Sequence, residues 1–210
     1  MHAANHLFWK YSLIKYGKHI KRANARILEC GSLNVNGSIK DILEVDTNKN
    51  EYVGLDWRAG NYVDVVSLAH EYNPGHQFDT VLSASMLEHD PYWDKSITNM
   101  VKLLKDDGIL VMTWGSALNP IHYCETAPDG AFHALPVGNV FKLFEELGVF
   151  TQEFWYERNL CKYMLSDRSS KACKLDQLGT MGECGLVAFK DKSLIDNEAK
   201  HIDKLVKEDL

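Results

Sequence analysis

Hydrophobic side chains in residues 6–22 recur at helical spacing with cations between them, which predicts an N-terminal helix. Two later segments, 91–105 and 137–147, have the same spacing, and a shorter helix fits 37–44. Gly148 is placed to end the third of these long helices. The apolar stripe expected for the first helix is Leu7, Phe8, Tyr11, Ile14 and Tyr16, and that for 91–105 is Ile97, Met100, Val101 and Leu104.

Short apolar runs bounded by turn residues lie between these helices and are typical of strands. Alternating strands and helices predict an α/β protein with a mostly parallel sheet and helices on both faces. Only WRAGN separates Asp56 from Tyr62, which is too short for a crossover with a normal helix. We expect strands at 26–30, 51–56, 62–68, 77–85 and 109–114, followed by two late strands within 150–158 and 185–190.

The chain of 210 residues has neither internal repeats nor a Pro/Gly-rich linker, which predicts a single domain, 1–210. Within it we expect an N-terminal helical extension at 1–25, a core at 26–190 and a C-terminal helix at 191–210, since 193–207 is amphipathic.

Composition argues for a cytoplasmic protein. The net charge is -6 and no long block of Lys and Arg occurs, which argues against nucleic acid as the main partner. The five cysteines are odd in number and form no Cys-x-x-Cys pair, as expected for reduced thiols. No apolar run is long enough to cross a bilayer, and lysines interrupt the N-terminal segment, so we expect neither a signal peptide nor a membrane partner.

Ligands of open α/β sheets bind outside the carboxyl ends of the strands, so residues that follow strands are the candidate site. Gly31 ends the first strand and would let a ligand approach the backbone, while the helix near Gly37 would offer free N–H groups. The full Gly-x-Gly-x-x-Gly pattern is absent, so a plain strand-to-helix turn is an equal alternative. Asp56 ends the second strand, where an acid can accept hydrogen bonds from ribose hydroxyls, and Trp57 could pack on an adenine. The alternative is a turn-capping aspartate beside a core tryptophan.

Four pieces of sequence resemble one family when they are taken in order. They are ILECGSLNVNGS, EYVGLDW, FDTVLSASMLEH and LLKDDGILVMTW, which together cover roughly residues 26–114. They resemble the class I S-adenosylmethionine-dependent methyltransferases, close to the methyltransferase type 11 group. The last piece carries Asp106-Asp107 where the family's turn has Pro-Gly. The resemblance implies a seven-stranded Rossmann-like sheet with an antiparallel last strand, and S-adenosyl-L-methionine as the cofactor.

The resemblance also implies roles for matched positions. Glu29 and Gly31 would lie under the methionine part of the cofactor, and Asp56 would take the ribose diol. Leu68 replaces the acid that often reads the adenine, which leaves the backbone N–H of Ala69 for adenine N1. The expected cofactor site comprises Glu29, Gly31, Ser32, Leu33, Gly37, Asp56, Trp57, Leu68, Ala69, and the sulfonium-facing Ser83, Ala84 and Ser85.

The stretch Asp90-Pro91-Tyr92-Trp93 resembles the Asp-Pro-Pro-Tyr loop of adenine methyltransferases. That loop directly follows the fourth strand, where this chain has Ser83-Ala84-Ser85. Aspartate as the cap with proline at the first helical position is a common helix start, and we interpret Asp90-Pro91 in this way.

Methyl transfer needs an aligned acceptor, and a hydroxyl or amine acceptor can also need a base. His89 is the candidate base, with a structural histidine at the start of a helix as the equal alternative. We expect Tyr92, Trp93, His122 and His133 to line the acceptor pocket. His122, Cys124, Glu125 and His133 match no standard zinc spacing, so we expect no metal.

Three functions remain open from the sequence. The leading one is O- or N-methylation of a small molecule or sugar. The second is methylation of a nucleic acid or a protein. The third is a non-catalytic protein that binds a partner through a cofactor fold.

Overall fold

Seven strands make up a single sheet in the computed structural model, which describes residues 3–35, 37–44, 46, 49–115, 123–125, 127–133, 135–156 and 183–195. The strands are β1 (Arg26–Cys30), β2 (Glu51–Asp56), β3 (Val65–Val66), β4 (Phe78–Ala84), β5 (Leu104–Gly115), β6 (Phe150–Tyr156) and β7 (Glu183–Phe189). The described helices are α1 (Ala3–Ile20), α2 (Ile39–Leu43), α3 (Trp93–Leu103) and α4 (Val137–Glu146), with 3-10 turns at Leu87–His89 and Lys192–Leu194.

The strand order is β3-β2-β1-β4-β5-β7-β6. The first five strands run parallel, whereas β7 is antiparallel to both of its neighbours, β5 and β6. This is the predicted mostly parallel sheet with an antiparallel last strand. The order reverses between β1 and β4, so the carboxyl ends of these two strands flank the point at which ligands of such sheets bind.

Both faces of the sheet are covered by helices, as predicted. On one face α3 and α4 bury Ile97, Met100, Val140 and Phe144 against the sheet. On the other face α1 and α2 cover the alternate side chains of the same strands, among them Ile27 of β1. The alternation of side chains along each central strand therefore supplies two cores, one for each face.

The crossover between β2 and β3 contains no helix, as its length predicts, and it lies directly on Gly54. A Cβ at Gly54 would come within 1.9 Å of the Tyr62 carbonyl oxygen. Gly54 and Asp64 are joined by two hydrogen bonds of 2.8 Å, from the Gly54 N–H to the Asp64 carboxylate and from the Asp64 N–H to the Gly54 carbonyl. These bonds hold residues 62–64 in a turn, so the strand predicted at 62–68 is reduced to Val65–Val66.

The buried face of α1 differs from the predicted stripe. Ile14 is 86% exposed and Leu7 is 45% exposed, while Trp9 and Ile20 are fully buried. The buried face also carries two polar side chains, Asn5 and Ser12, so hydrophobic residues alone do not mark it in the sequence. Its members are Asn5, Phe8, Trp9, Ser12, Tyr16 and Ile20.

The junction between α3 and β5 also departs from the prediction. The helix ends at Leu103, and β5 begins at Leu104 rather than after a turn at Asp106–Gly108. Leu104 pairs with Phe78, but the next pair is Ile109 with Thr80, so the predicted turn residues form a bulge within β5.

Several other boundaries agree with the sequence. Strands β1 and β2 have the predicted limits, and α4 ends just before Gly148, whose φ is 66°. Of the predicted C-terminal helix only residues 191–195 are described, with a 3-10 turn at Lys192–Leu194, and 196–210 lie outside the described residues. None of the described helices has the length and apolar character needed to cross a membrane.

Candidate active site

The end of β1 meets the end of β4 at Gly31. Gly31 has a φ of 83°, and a Cβ there would come within 2.5 Å of the Met86 Cβ. The N–H groups of Gly31 and Ser32 donate to the Leu55 carbonyl oxygen of β2, at 2.8 and 3.1 Å. The glycine at this strand end therefore allows the turns after β1 and β4 to touch.

Two of the N–H groups predicted to be free near Gly37 are already engaged. The Gly37 N–H donates to the Asn34 side-chain oxygen at 3.0 Å, and the Lys40 N–H donates to the Ser38 hydroxyl at 3.0 Å. The helix that follows, α2, has only five residues. This segment therefore favours the strand-to-helix turn over an anion cradle.

Asp56 lies at the end of β2 and is half-buried. Its carboxylate accepts from the backbone N–H groups of Leu33, at 3.2 Å, and Arg58, at 3.1 Å. Burial raises the pKa of Asp56, and the backbone donors partly oppose this rise. The carboxylate thus holds the turns after β1 and β2 and retains lone pairs for a ligand's hydroxyl groups. Trp57, beside it, is half-buried under the Arg58 guanidinium and is not a core residue.

Glu29 is buried one residue before the end of β1. Its carboxylate accepts a hydrogen bond from the Tyr52 hydroxyl of β2. Burial raises the pKa of Glu29 to about 7, opposed by the Tyr52 hydrogen bond and the charge of Lys40 in α2. The side chain is only 2% exposed, so its carboxylate is enclosed by protein.

The segment after β3 contains Leu68, which is half-buried, and Ala69, which is buried. The Asn99 side chain of α3 donates to the carbonyl oxygens of Ala69 and Tyr72, at 2.8 and 2.9 Å, and fixes this loop. Tyr92, predicted to line the acceptor pocket, packs against His70 of the same loop with ring centroids 4.7 Å apart. Tyr92 therefore lies beside the segment to which the resemblance assigns the adenine.

Two serines at the end of β4 have unusual features, one in its hydrogen bonding and the other in its backbone conformation. Ser83 is fully buried, and its hydroxyl has no hydrogen-bond partner within the described part of the chain. Ser85 has a φ of 49°, a left-handed conformation that is strained for a residue with a side chain. The Ser85 hydroxyl accepts from the Asn5 side chain of α1 at 2.7 Å. The N-terminal helix therefore reaches the carboxyl end of β4, at half-buried Ala84 and Ser85.

Residues 123–125 and 127–133, called the covering loop below, contact the 3-10 turn Leu87–His89. The His133 N–H donates to the Glu88 carbonyl oxygen at 2.5 Å. The His89 Nε2 lies 3.9 Å from the Cys124 Sγ, and its ring meets Phe132 edge-on at 5.7 Å. His89 and this covering loop therefore come together, as the predicted pocket requires.

The other three residues predicted to line the acceptor pocket are His133, Trp93 and His122. The His133 imidazole pairs with the Asp129 carboxylate at 2.8 Å, within the covering loop. Trp93 is the first residue of α3 and is half-buried against the core. His122 lies outside the described residues, and within the described ranges no three potential ligands are grouped to hold a metal ion.

Asp90 precedes α3, but the predicted cap arrangement is wrong, because the N-cap position is Tyr92 and Pro91 lies in the turn before the helix rather than at its first position. Its carboxylate accepts from the Tyr92 N–H at 2.8 Å and from the Ser96 hydroxyl at 2.5 Å. The helix begins at Trp93, two residues after Pro91. Both carboxylate oxygens of Asp90 thus serve the helix start.

Sequence reasoning missed Glu88, which it treated only as a neighbour of His89. Glu88 is 3% exposed, and its Oε2 has no hydrogen-bond partner within the described residues. Burial and the charge of Glu183 raise its pKa to about 8, opposed by backbone N–H donors that include Gly115. The available signal was an acid next to Leu87, shortly after the buried strand β4.

No protein-family model and no curated protein matches the sequence, but solved structures do match this fold. One is a 1,6-didemethyltoxoflavin-N1-methyltransferase from Burkholderia thailandensis with bound 1,6-didemethyltoxoflavin and S-adenosylhomocysteine. It is 12% identical at a TM-score of 0.58, and the match covers 90% of this chain and 79% of that one. The StiE O-MT segment is 12% identical at a TM-score of 0.59, over 96% of this chain and 80% of that one. The chain has the class I methyltransferase fold.

A third match shows that this fold also carries other chemistry. The [4+2]-cyclase SpnF is 16% identical at a TM-score of 0.59, with 90% of this chain and 82% of that one covered. Fold likeness therefore leaves the reaction and the acceptor to be argued from this chain's own residues.

Proposed function

We propose that the protein is an S-adenosyl-L-methionine-dependent methyltransferase that acts on oxygen or nitrogen of a small-molecule acceptor. The observation that carries the proposal is the meeting of Gly31, Asp56 and the end of β4 at the point where the strand order reverses. Three features converge at this end of the sheet: a carboxylate with spare lone pairs, a buried Ser83 hydroxyl with no partner among the described residues, and the strained Ser85.

These residues fit the proposed cofactor. Asp56 would accept from the ribose hydroxyls, the Ala69 segment would hold the adenine with Tyr92 as a wall, and Ser83 to Ser85 would face the sulfonium. The remaining predicted contacts, Glu29, Ser32, Leu33, Gly37, Trp57 and Leu68, would form or support the site from the turns after β1, β2 and β3. When bound, the cofactor supplies a methyl group that is already activated as a sulfonium.

The acceptor would bind on the side of the sulfonium away from Asp56, between the 3-10 turn Leu87–His89 and the covering loop. Alignment of the acceptor and exclusion of water are the main tasks of the protein there. His89, Phe132 and His133 come from the two segments that meet at this place. His89 is our candidate for assisting deprotonation of a hydroxyl acceptor, with Trp93 and His122 as further candidates for the pocket.

Two other functions give different results in solution. A methyltransferase for nucleic acid predicts salt-sensitive binding, and the net charge of -6 is against it. No gel shift at low salt would discard that function. A non-catalytic partner-binding protein predicts no affinity for the cofactor. We further propose a cytoplasmic location, supported by the free thiols of the buried Cys30 and Cys184.

Titration calorimetry with S-adenosylmethionine and S-adenosylhomocysteine tests the proposed function. We expect both to bind, and Asp56→Asn to weaken binding by about 10- to 100-fold, since a hydrogen bond to a charged group contributes roughly 1.5–3 kcal/mol. Glu146→Gln, a change at an exposed carboxylate of α4, is the control and should bind normally. A folded wild-type protein with no affinity for either compound would refute the proposal.

A further inference from the structure

Asn5 is an amide side chain on the buried face of α1, where it is only 1% exposed. Burial of an amide is costly unless it is hydrogen-bonded, so an asparagine at this position needs a specific partner. Its Nδ2 donates to the Ser85 hydroxyl oxygen at 2.7 Å. This bond joins the first turns of α1 to the end of β4, 80 residues later in the chain.

Ser85 lies where the turns of the candidate site meet. Its backbone has a φ of 49°, and its N–H donates to the Thr113 carbonyl oxygen of β5 at 2.9 Å. The next residue, Met86, lies against Gly31, where a Cβ would come within 2.5 Å of the Met86 Cβ. A continuous line of contacts therefore leads from Asn5 through Ser85 to the turn after β1.

The bond from Asn5 determines what the Ser85 hydroxyl can do. A serine hydroxyl has one hydrogen to donate and two lone pairs. Asn5 occupies one lone pair, which leaves the hydroxyl hydrogen to donate, and this hydrogen has no acceptor among the described residues. Ser85 is half-buried, unlike the fully buried Ser83, so part of it is accessible to a ligand at this end of the sheet.

We propose that Asn5 is a positioning residue of the cofactor site. It holds the Ser85 hydroxyl so that this group donates a hydrogen bond to the bound S-adenosyl compound. Without Asn5 the hydroxyl would rotate more freely, and the ligand would have to order it on binding. This inference rests on the proposed methyltransferase function, in which Ser85 faces the cofactor, and it adds the N-terminal helix to the site.

A bond that only fastened α1 to the sheet would have a different effect. Its loss would lower the stability of the protein but leave the cofactor affinity of the folded protein unchanged. Ser12 provides a matched control on the same face of α1. It is also polar and fully buried, but its hydroxyl has no hydrogen-bond partner within the described part of the chain.

A double-mutant cycle measured by titration calorimetry with S-adenosylhomocysteine tests the inference. We expect Asn5→Ala and Ser85→Ala each to weaken binding by about 3- to 10-fold, the usual effect of one neutral hydrogen bond. Because Asn5 acts through Ser85, the double variant should bind no more weakly than Ser85→Ala alone. Ser12→Ala should bind as tightly as wild type.

The outcomes separate this inference from the proposed function. If wild type binds S-adenosylhomocysteine but Asn5→Ala or Ser85→Ala binds it equally well, the role of Asn5 is wrong and the methyltransferase proposal stands. Losses that multiply in the double variant would also overturn the inference, because Asn5 would then act independently of Ser85. No binding by the folded wild type would refute the proposed function itself.

Hydrogen exchange on the wild type supplies a test that needs no variant. A ligand held by Ser85 favours the state in which Ser85 bonds to Asn5, so binding should also stabilise the first half of α1. We expect saturating S-adenosylhomocysteine to slow amide exchange in residues 3–12 by about threefold or more, with a smaller change in 13–20. Equal effects on the two halves, or none, would overturn the inference.

Discussion

Acidic side chains at the carboxyl edge of the sheet are held in an environment that opposes their charge. Burial raises the pKa of Glu29 to about 7 and that of Glu88 to about 8. Burial also raises the pKa of Asp56. Perturbed acids cluster at functional sites more often than elsewhere, so their shared position supports a site at this edge.

Glu29→Gln should change how stability depends on pH. The pKa of Glu29 rises from 4.5 to about 7 on folding, so the folded protein binds more protons between these values and loses stability as the pH rises through them. Removal of this carboxyl group should lessen that loss by up to about 3 kcal/mol. Urea denaturation at pH 5 and pH 8 measures the effect, and Glu146→Gln, an exposed control, should keep the wild-type loss. An unchanged loss in Glu29→Gln would show that Glu29 ionises normally.

The sequence was informative about residues that directly follow strands. Gly31, Asp56 and Ser85 all lie at the predicted edge, because the strand ends themselves were predictable. The environment of Glu88 was not predictable, since the residues that act on its carboxyl group, Gly115 and Glu183, are distant in sequence. The packing of Tyr92 on His70 has the same cause, as it joins two segments that are distant in sequence.

At the scale of elements, Gly54 determines the shape of the β2–β3 crossover. The sequence predicted that this crossover lacks a helix, because the segment is short. It did not reveal that the crossover packs directly on β2. This close approach requires glycine at position 54, because any side chain there would collide with the crossover.

Gly54→Ala should destabilise the protein by about 2–4 kcal/mol, because the added Cβ would lie 1.9 Å from the Tyr62 carbonyl oxygen and force the backbone apart. Gly17→Ala is the matched control. Its Cβ would lie 3.6 Å from Leu13 within α1, so we expect a gain of up to about 1 kcal/mol from better helix propensity. Thermal denaturation distinguishes the two, and equal stability of Gly54→Ala and wild type would contradict the close approach.

In the molecule as a whole, the pKa values of buried acids shift in opposite directions at the two ends of the parallel strands. At the carboxyl ends they are raised, and at the amino ends the pKa of Asp79 is lowered. At the amino edge, burial of Asp79 would raise its pKa, but hydrogen bonds from Lys105, the Arg26 N–H and Arg22 outweigh burial and hold the pKa at about 2. Arg22 follows α1 and also pairs with Asp107 of β5. This cluster links α1, β1, β4 and β5 and stabilises the edge opposite the candidate site.

Asp79→Asn should destabilise the protein at pH 7 by about 1–3 kcal/mol, the usual range for hydrogen bonds to a charged group. The folded pKa lies below the ordinary value of 3.8, so the contribution of Asp79 is present above about pH 4 and is lost as the pH falls towards 2. Urea denaturation at pH 7 and pH 3 measures this difference. We expect the gap between wild type and variant to narrow at pH 3, and a constant gap would show that the charge of Asp79 is not the cause.

The overall architecture was predictable because every central strand is apolar and bounded by turn residues. The buried face of α1 was not predictable from hydrophobicity, because Asn5 and Ser12 are buried on it while Ile14 is exposed. Asn5 is explained by its hydrogen bond to Ser85, a contact that exists only in the folded sheet.

The packing of α1 has a consequence for synthesis on the ribosome. Phe8 lies against Gly185 of β7, and Tyr16 packs on Phe189 at the end of that strand. At about 5–20 residues per second, the aromatic face of α1 would wait roughly 10–35 s for this strand to be made. Until then, the aromatic face of α1 lacks these partners on the nascent chain and is accessible to a chaperone.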